Sequence, residues 1–254
     1  MSQVCTSAPF LYRHTQRGVA LLITLWALAL LSLIMGAIVM SVRLENRQSS
    51  HLLQSVRSQL AAEAGLAMAI QNMSSPPQGQ YWLADSRPYQ LEFDDTRVTI
   101  RIVSELGKID LNNSPPELLA RLALAVGASA KQAKQVATAL KAKQEKDNSA
   151  PFQTLDEAAL LNGMDNALFI RLEPYITVWS GYDQPIASFA DPLVRDVMDQ
   201  KSRDPVEGTD PGQVLTILSQ AERSNGARFT LSATVQLNPM DDSTHPYSVL
   251  RWQE

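Results

Sequence analysis

Carboxylates crowd one stretch of this sequence: Asp191, Asp196, Asp199, Asp204, Glu207 and Asp210 fall within 20 residues. Such side chains hold hard divalent cations, calcium foremost, when they alternate at the tight spacing of a cation loop. Here they sit three to five positions apart, so the stretch reads as a solvated acidic linker and no metal ligand is assigned. Nitrogen and sulfur ligands are scarcer. His14, His51 and His245 stand far apart, and Cys5 is the single cysteine, which excludes a disulfide framework and a cysteine zinc site. There is no Ser-His-Asp set with turn context and no phosphate-cradling glycine loop. Asp94-Asp95 and Asp241-Asp242 read as turn residues. The chain therefore reads as a protein that is not an enzyme and carries no assignable cofactor.

With 45% hydrophobic and 19% charged residues, the chain is too apolar for disorder and too polar for several membrane spans. The apolar residues are concentrated. Arg13 and Arg17 precede Gly18, and from Val19 to Val42 there are 24 residues without a charge. As a helix this run would be about 36 Å long at roughly 1.5 Å per residue, enough to cross a bilayer core. Its Leu, Ile and Val residues favour insertion by roughly 4–8 kcal/mol in sum, at about 0.3–0.6 kcal/mol each. It is too long for the apolar region of a cleaved secretory signal. Arg43, Arg47 and Arg57 follow it, so flanking charge alone does not orient it. Apolar positions then continue at helical spacing through Leu44, Leu52, Val56, Leu60, Ala64, Ala67 and Ile70, until Ser74-Ser75-Pro76-Pro77. One helix over 19–73 follows, with this stripe as the expected dry face of its second half.

Beyond the prolines, Tyr89–Phe93 and Val98, Ile100 and Ile102 alternate around Asp94-Asp95, which predicts a hairpin with one dry face. Val214–Ala221 and Ala227–Leu237 predict a second hairpin around Asn225-Gly226, and Tyr247–Trp252 a last strand. Between them the caps are helical. Ser114-Pro115-Pro116-Glu117 reads as a capping box, Ser129 opens a second helix, Thr154 a short third, Asp165 a fourth, and Asp191-Pro192 a fifth. The fold class expected is α+β: a long N-terminal helix on a small antiparallel sheet, with a large all-helical insert between strands.

The basic segment ending at Gly18, with an apolar helix starting at once, resembles the prepilin and pseudopilin leader. Gly107–Leu119 (GKIDLNNSPPELL), Pro151–Glu157, Leu172–Val178 and Pro246–Trp252 are similar, in the same order, to segments of the K-type minor pseudopilin of type II secretion, the general secretion pathway protein K family. The resemblance implies a pilin-like fold whose insert is SAM-like or helix-hairpin-helix-like. It also implies five segments: 1–18 a leader, 19–73 a transmembrane and stalk helix, 74–106 the first part of the sheet, 107–212 the insert, and 213–254 the second part of the sheet. In that family a membrane peptidase cuts after the glycine, here between Gly18 and Val19, leaving an N-methylated Val19. Most members carry Glu at the fifth mature position; here it is Ile23. The implied role is nucleating and capping the tip of the secretion pseudopilus, for protein export across the outer membrane. The implied partners are minor pseudopilins of types I, J and H, the prepilin peptidase and the inner-membrane secretion platform. The implied location is the bacterial inner membrane, single-pass, with a cytoplasmic N-terminus and a periplasmic body. Some members bind calcium, which leaves that cation as an option without named ligands.

A helix-hairpin-helix module also suggests a competing function, nucleic-acid binding on a membrane anchor. Between Gly107 and Gly181 the basic and acidic side chains balance, eight against eight, and the hairpin Val126-Gly127-Ala128-Ser129 has one glycine where a backbone clamp wants two. With a net charge of -4 overall, no nucleic-acid partner is expected.

Overall fold

The computed structural model describes residues 17–75, 82–146, 150–199, 210–237 and 246–254. The chain forms two compact units, Met1–Gln54 and Ser55–Glu254. Helix α1 (Arg17–Ser74) begins in the first and ends in the second. After it come β1 (Asp85–Phe93), β2 (Thr96–Ser104), β3 (Ile109–Asp110), α2 (Pro116–Ala125), α3 (Ala130–Gln144), α4 (Asn166–Leu172), β4 (Ile176–Thr177), α5 (Pro192–Val197), β5 (Val214–Arg223), β6 (Arg228–Leu237) and β7 (Tyr247–Gln253). In the first unit, the segment Val19–Asn46 has a mean hydropathy of 2.5 and none of it is buried.

In the second unit, the five long strands make one antiparallel sheet in the order β1-β2-β5-β6-β7. Strand β2 shows why it sits inside: Val98, Ile100 and Ile102 are fully buried, while Arg97 and Arg101 alternate with them outward. Asp94 turns the first hairpin at φ 55, a left-handed conformation that Asp tolerates, and Gly226 turns the second at φ 86. Residues Ser58–Ser74 of α1 lie on one face of this sheet, where Ala62, Leu66, Ala69 and Ile70 share a core with strands β2, β5 and β6.

That contact corrects the expected dry stripe. Leu44, Leu52, Val56 and Leu60 are exposed by half or more, and Ala67 is exposed as well. Ile70 is buried as expected, but the rest of the buried face is Ser58, Ala62, Gly65, Leu66 and Ala69. Small residues win because the helix approaches closely: a Cβ on Gly65 would meet Ser219 Oγ at 2.6 Å and Val98 Cγ1 at 2.7 Å. Leucines at those positions would hold the helix off the sheet.

The insert leaves the sheet after β2 and returns at β5, and it has a hydrophobic core of its own around Leu119, Leu122, Leu140, Leu168 and Leu172. Three predicted caps form as expected. Ser129 Oγ accepts from Gln132 N, Asp165 Oδ1 from Leu168 N at 2.7 Å, and Asp191 Oδ1 from Leu193 N. One expectation is corrected. Ser114 does not cap α2, whose N-cap is Pro115 with Pro116 at the first helical position. The Ser114 hydroxyl is buried and accepts from the backbone N–H of Asp110, because the chain turns before the prolines rather than at them. The short third helix does open after Thr154, as a 3-10 helix over Leu155–Leu160 anchored by Glu157, whose carboxylate accepts from the backbone N–H groups of Gln153 and Thr154. Strands β3 and β4 form a short parallel pair, too brief to show any periodicity in the sequence.

Candidate functional site: the apolar helix and the polar joints of the insert

Gly18 and Val19 lie in the first turn of α1, and residues 1–16 are outside the described residues. Val19 is 62% exposed and Ile23 61%, within a helix surface of Leu, Ile, Val and Trp26 that nothing among the described residues covers. Hydrocarbon or other apolar helices are the only environments in which such a surface avoids a large hydration cost.

The GKIDLNN segment proves to be a structural joint. Asp110 is fully buried at the β3–β4 pair. Its carboxylate accepts from Asn112 N at 2.8 Å through one oxygen, and from Ser180 Oγ at 2.9 Å and Gly181 N at 2.8 Å through the other. Asn112 extends the joint. Its amide donates to the carbonyls of Phe152 and Val178, and its side-chain oxygen accepts from Phe152 N. Two polar side chains, two positions apart, thus tie the start of the insert to Phe152 and to the segment 178–181. Three fixed donors hold the carboxylate, an arrangement suited to tying the chain together.

A second joint links insert to sheet. Glu105, buried at the end of β2, pairs with Lys108 and accepts from Thr216 Oγ1 at 2.6 Å, and the hydroxyls of Thr216 and Thr234 are 2.8 Å apart. On the edge strand, Arg251 reaches out to Glu173 and Asp156 of the insert. At the far end of the sheet, the Arg223 guanidinium pairs with Asp95 and holds that carboxyl below the ordinary carboxylate range. Hydrogen bonds from the backbone N–H groups of Thr154 and Gln153 lower the Glu157 carboxyl likewise, and burial raises the Tyr175 phenol. Reasoning from sequence did not single out Glu105, Lys108 or Arg251, and quoted Asp110 and Asn112 only within a motif. Their partners lie up to 111 residues away, beyond any local pattern.

The described carboxylates of the acidic stretch do not converge. Asp191 caps α5, Asp199 pairs with Arg121 of α2, and Asp210 accepts from Gly212 N. Asp204 and Glu207 lie outside the described residues. Among the described residues no three acid, histidine or cysteine side chains gather as a metal site. In the α2–α3 hairpin, the N–H groups of Val126, Gly127 and Ala128 donate to α2 carbonyls. They are therefore unavailable to a phosphate.

No protein-family model and no curated protein matches the sequence. A solved structure does: a chain of the GspK-GspI-GspJ complex from the type 2 secretion system of enterotoxigenic Escherichia coli. It is 14% identical and superposes with a TM-score of 0.53, covering 82% of this chain and 98% of that one. The fold is pilin-like. A long helix on an antiparallel sheet, with further helices, is the α+β architecture that the sequence motifs implied. At this identity the likeness concerns fold, and the pilin-like plan assigns α1 its two tasks: an uncovered apolar segment, and a small-residue face against the sheet.

Proposed function

We propose that this chain is a minor pseudopilin that sits at the tip of a type II secretion pseudopilus and nucleates its assembly. The observation that carries the reading is one conjunction. A pilin-like fold, similar over nearly the whole of a chain from a type 2 secretion complex, is joined to a helical stretch, Val19–Val42, that follows Arg17-Gly18 directly and carries no charge.

The mechanism is packing. The apolar helix lodges in the bacterial inner membrane, with the body on the periplasmic side. Prepilin peptidase cuts between Gly18 and Val19, Val19 is N-methylated, and the freed helix passes from lipid to neighbouring helices with little change in hydration. Leu52, Val56 and Leu60 recur every four residues as a row of exposed side chains on α1. Minor pseudopilins pack against that row, of types I and J by analogy with the solved complex and of type H by the family resemblance; the secretion platform extends the filament beneath. Ile23 fits a terminal subunit. An unpaired carboxylate in an apolar setting is costly, and a molecule with nothing ahead of it has no ammonium to pair with. The helical insert supplies the bulk that blocks a further subunit.

Two measurements test the reading. Protein purified from membranes begins at Val19 on N-terminal sequencing; a mature form beginning at Met1 rejects processing. Mixed with type I and J minor pseudopilins, it elutes as a stoichiometric complex; no complex under any ratio rejects the tip role.

A further inference from the structure

Insert and sheet each keep their own hydrophobic core, and no residue belongs to both. What lies between them is largely polar. The sheet face turned to α1 presents Leu215, Ile217, Leu231, Ala233 and Val235, whereas the opposite face presents Thr216, Leu218, Ser232 and Thr234. Between that second face and the insert runs a cleft of about 270 Å³, with Val103, Thr216 and Leu218 on the sheet side and Leu155, Pro174 and Trp179 on the insert side. A large apolar contact locks two bodies together; a polar one with a gap leaves relative motion open.

Two attachments border the cleft. At the first, the outgoing and returning connections are tied to each other. Ser104 Oγ donates to the carbonyl of Pro211 at 2.6 Å, Glu105 accepts from Thr216 Oγ1, and the return passes through Gly212 at φ 78, a conformation that favours glycine. Glu105 Oε2 is buried there with no hydrogen-bond partner among the described residues, a penalty that access to water relieves. At the second, Arg251 of β7 reaches both Glu173 and Asp156, and Gln253 Nε2 donates to Glu173 Oε1 at 2.8 Å. Among the described residues no other ion pair links a strand of the five-stranded sheet to the insert.

From this layout we infer that the insert is a hinged body, pivoting about Ser104–Glu105 and Pro211–Val214 and held shut by Arg251 as a latch. Release widens the cleft and wets a face whose threonines and serine already suit water. The Asp156 side chain is 64% exposed and that of Glu173 24%, so water can take over from the guanidinium at modest cost. Neither core has to open, because neither crosses the cleft. The inference concerns the second unit alone and is independent of the tip role.

The experiment reads one distance in the full chain in lipid nanodiscs. Spin labels are placed on Lys131→Cys in the insert and Glu92→Cys on the sheet, both exposed positions, with Cys5→Ser removing the native thiol. Pulsed electron paramagnetic resonance on this latched parent gives one narrow distance distribution. Arg251→Met, which keeps side-chain bulk, adds a second distance or broadens the distribution about twofold. Asp156→Asn with Glu173→Gln, which discharges the latch from the insert side, does the same. Arg228→Met, which breaks an exposed pair with Glu222 inside the second hairpin, leaves it narrow. Hydrogen exchange keeps both cores, around Leu119 and around Ile100, as protected as in the parent. An unchanged distribution in both latch variants, equal broadening in Arg228→Met, or broadening that comes with lost protection of either core, overturns the inference.

Discussion

Replacing Asp110 by Ala separates a structural joint from an incidental buried acid. The substitution removes three acceptor contacts, from Asn112 N, Ser180 Oγ and Gly181 N. A hydrogen bond to a charged group contributes about 1.5–3 kcal/mol, so full loss would approach the upper range of single-site effects. Gly181 is exposed and Ser180 half-buried, so both turn partly to water when the carboxylate goes. The expected cost is therefore about 2–4 kcal/mol, which at a urea slope of roughly 2 kcal/mol/M lowers the midpoint by about 1–2 M. Asp110→Asn keeps one oxygen able to serve Ser180 and Gly181 but turns an NH2 toward the Asn112 N–H, and should lose about half as much. The assay is urea unfolding of the full chain in detergent, with hydrogen exchange read by mass spectrometry. The amides of Asn112 and Gly181 should lose protection while β2 and β5 keep theirs. A loss below about 1 kcal/mol, or unchanged exchange at Asn112, would refute the joint.

Three further outcomes follow from the same geometry. A Cβ on Gly107 would sit 2.2 Å from the backbone oxygen of Phe189. Gly107→Ala should thus destabilise by about 1–3 kcal/mol, and an unchanged urea midpoint contradicts the close approach. The Asp95 carboxyl is lowered by Arg223, so its contribution is complete above the unfolded value near pH ~3.9 and disappears as pH falls through the lower folded value. The gap in thermal midpoint between the chain and Asp95→Asn should then close on acidification, and a gap constant from neutral pH to pH ~2 would be the wrong result. Ile23→Glu should weaken membrane insertion by up to about 3 kcal/mol without improving complex formation with other minor pseudopilins; improved assembly would argue that a subunit does sit ahead.

The parts of the fold legible in the sequence were those written in local chemistry. The alternation of Val98, Ile100 and Ile102, the Asn225-Gly226 turn and the side-chain caps Ser129, Asp165 and Asp191 each settle within a few residues, and each appears where expected. Leu44 through Leu60 misled because helical spacing reveals a stripe but not which stripe faces the sheet. Gly65 and Ala62 outcompeted the leucines through close approach, a property of the partner surface. Ser114 misled because the same residue type serves equally to cap a helix or to fold back on the turn before it. The joints at Asp110 and Glu105 were hidden for another reason. Besides one local donor each, Asn112 and Lys108, their other donors lie 70 to 111 positions away, and only the closed tertiary structure brings these in.

Ser104, where the chain departs from the sheet, is the pairing partner of Leu215, where it comes back. Exit and entry are thus neighbours across a single ladder rung, as though a hairpin loop had been stretched to hold more than a hundred residues. A module plugged in at such a rung can be enlarged, trimmed or exchanged without disturbing strand order, and a few-residue turn could close the gap in its place. Lineages elaborating this scaffold would then vary freely in what they mount there, while the ladder beneath stays constant.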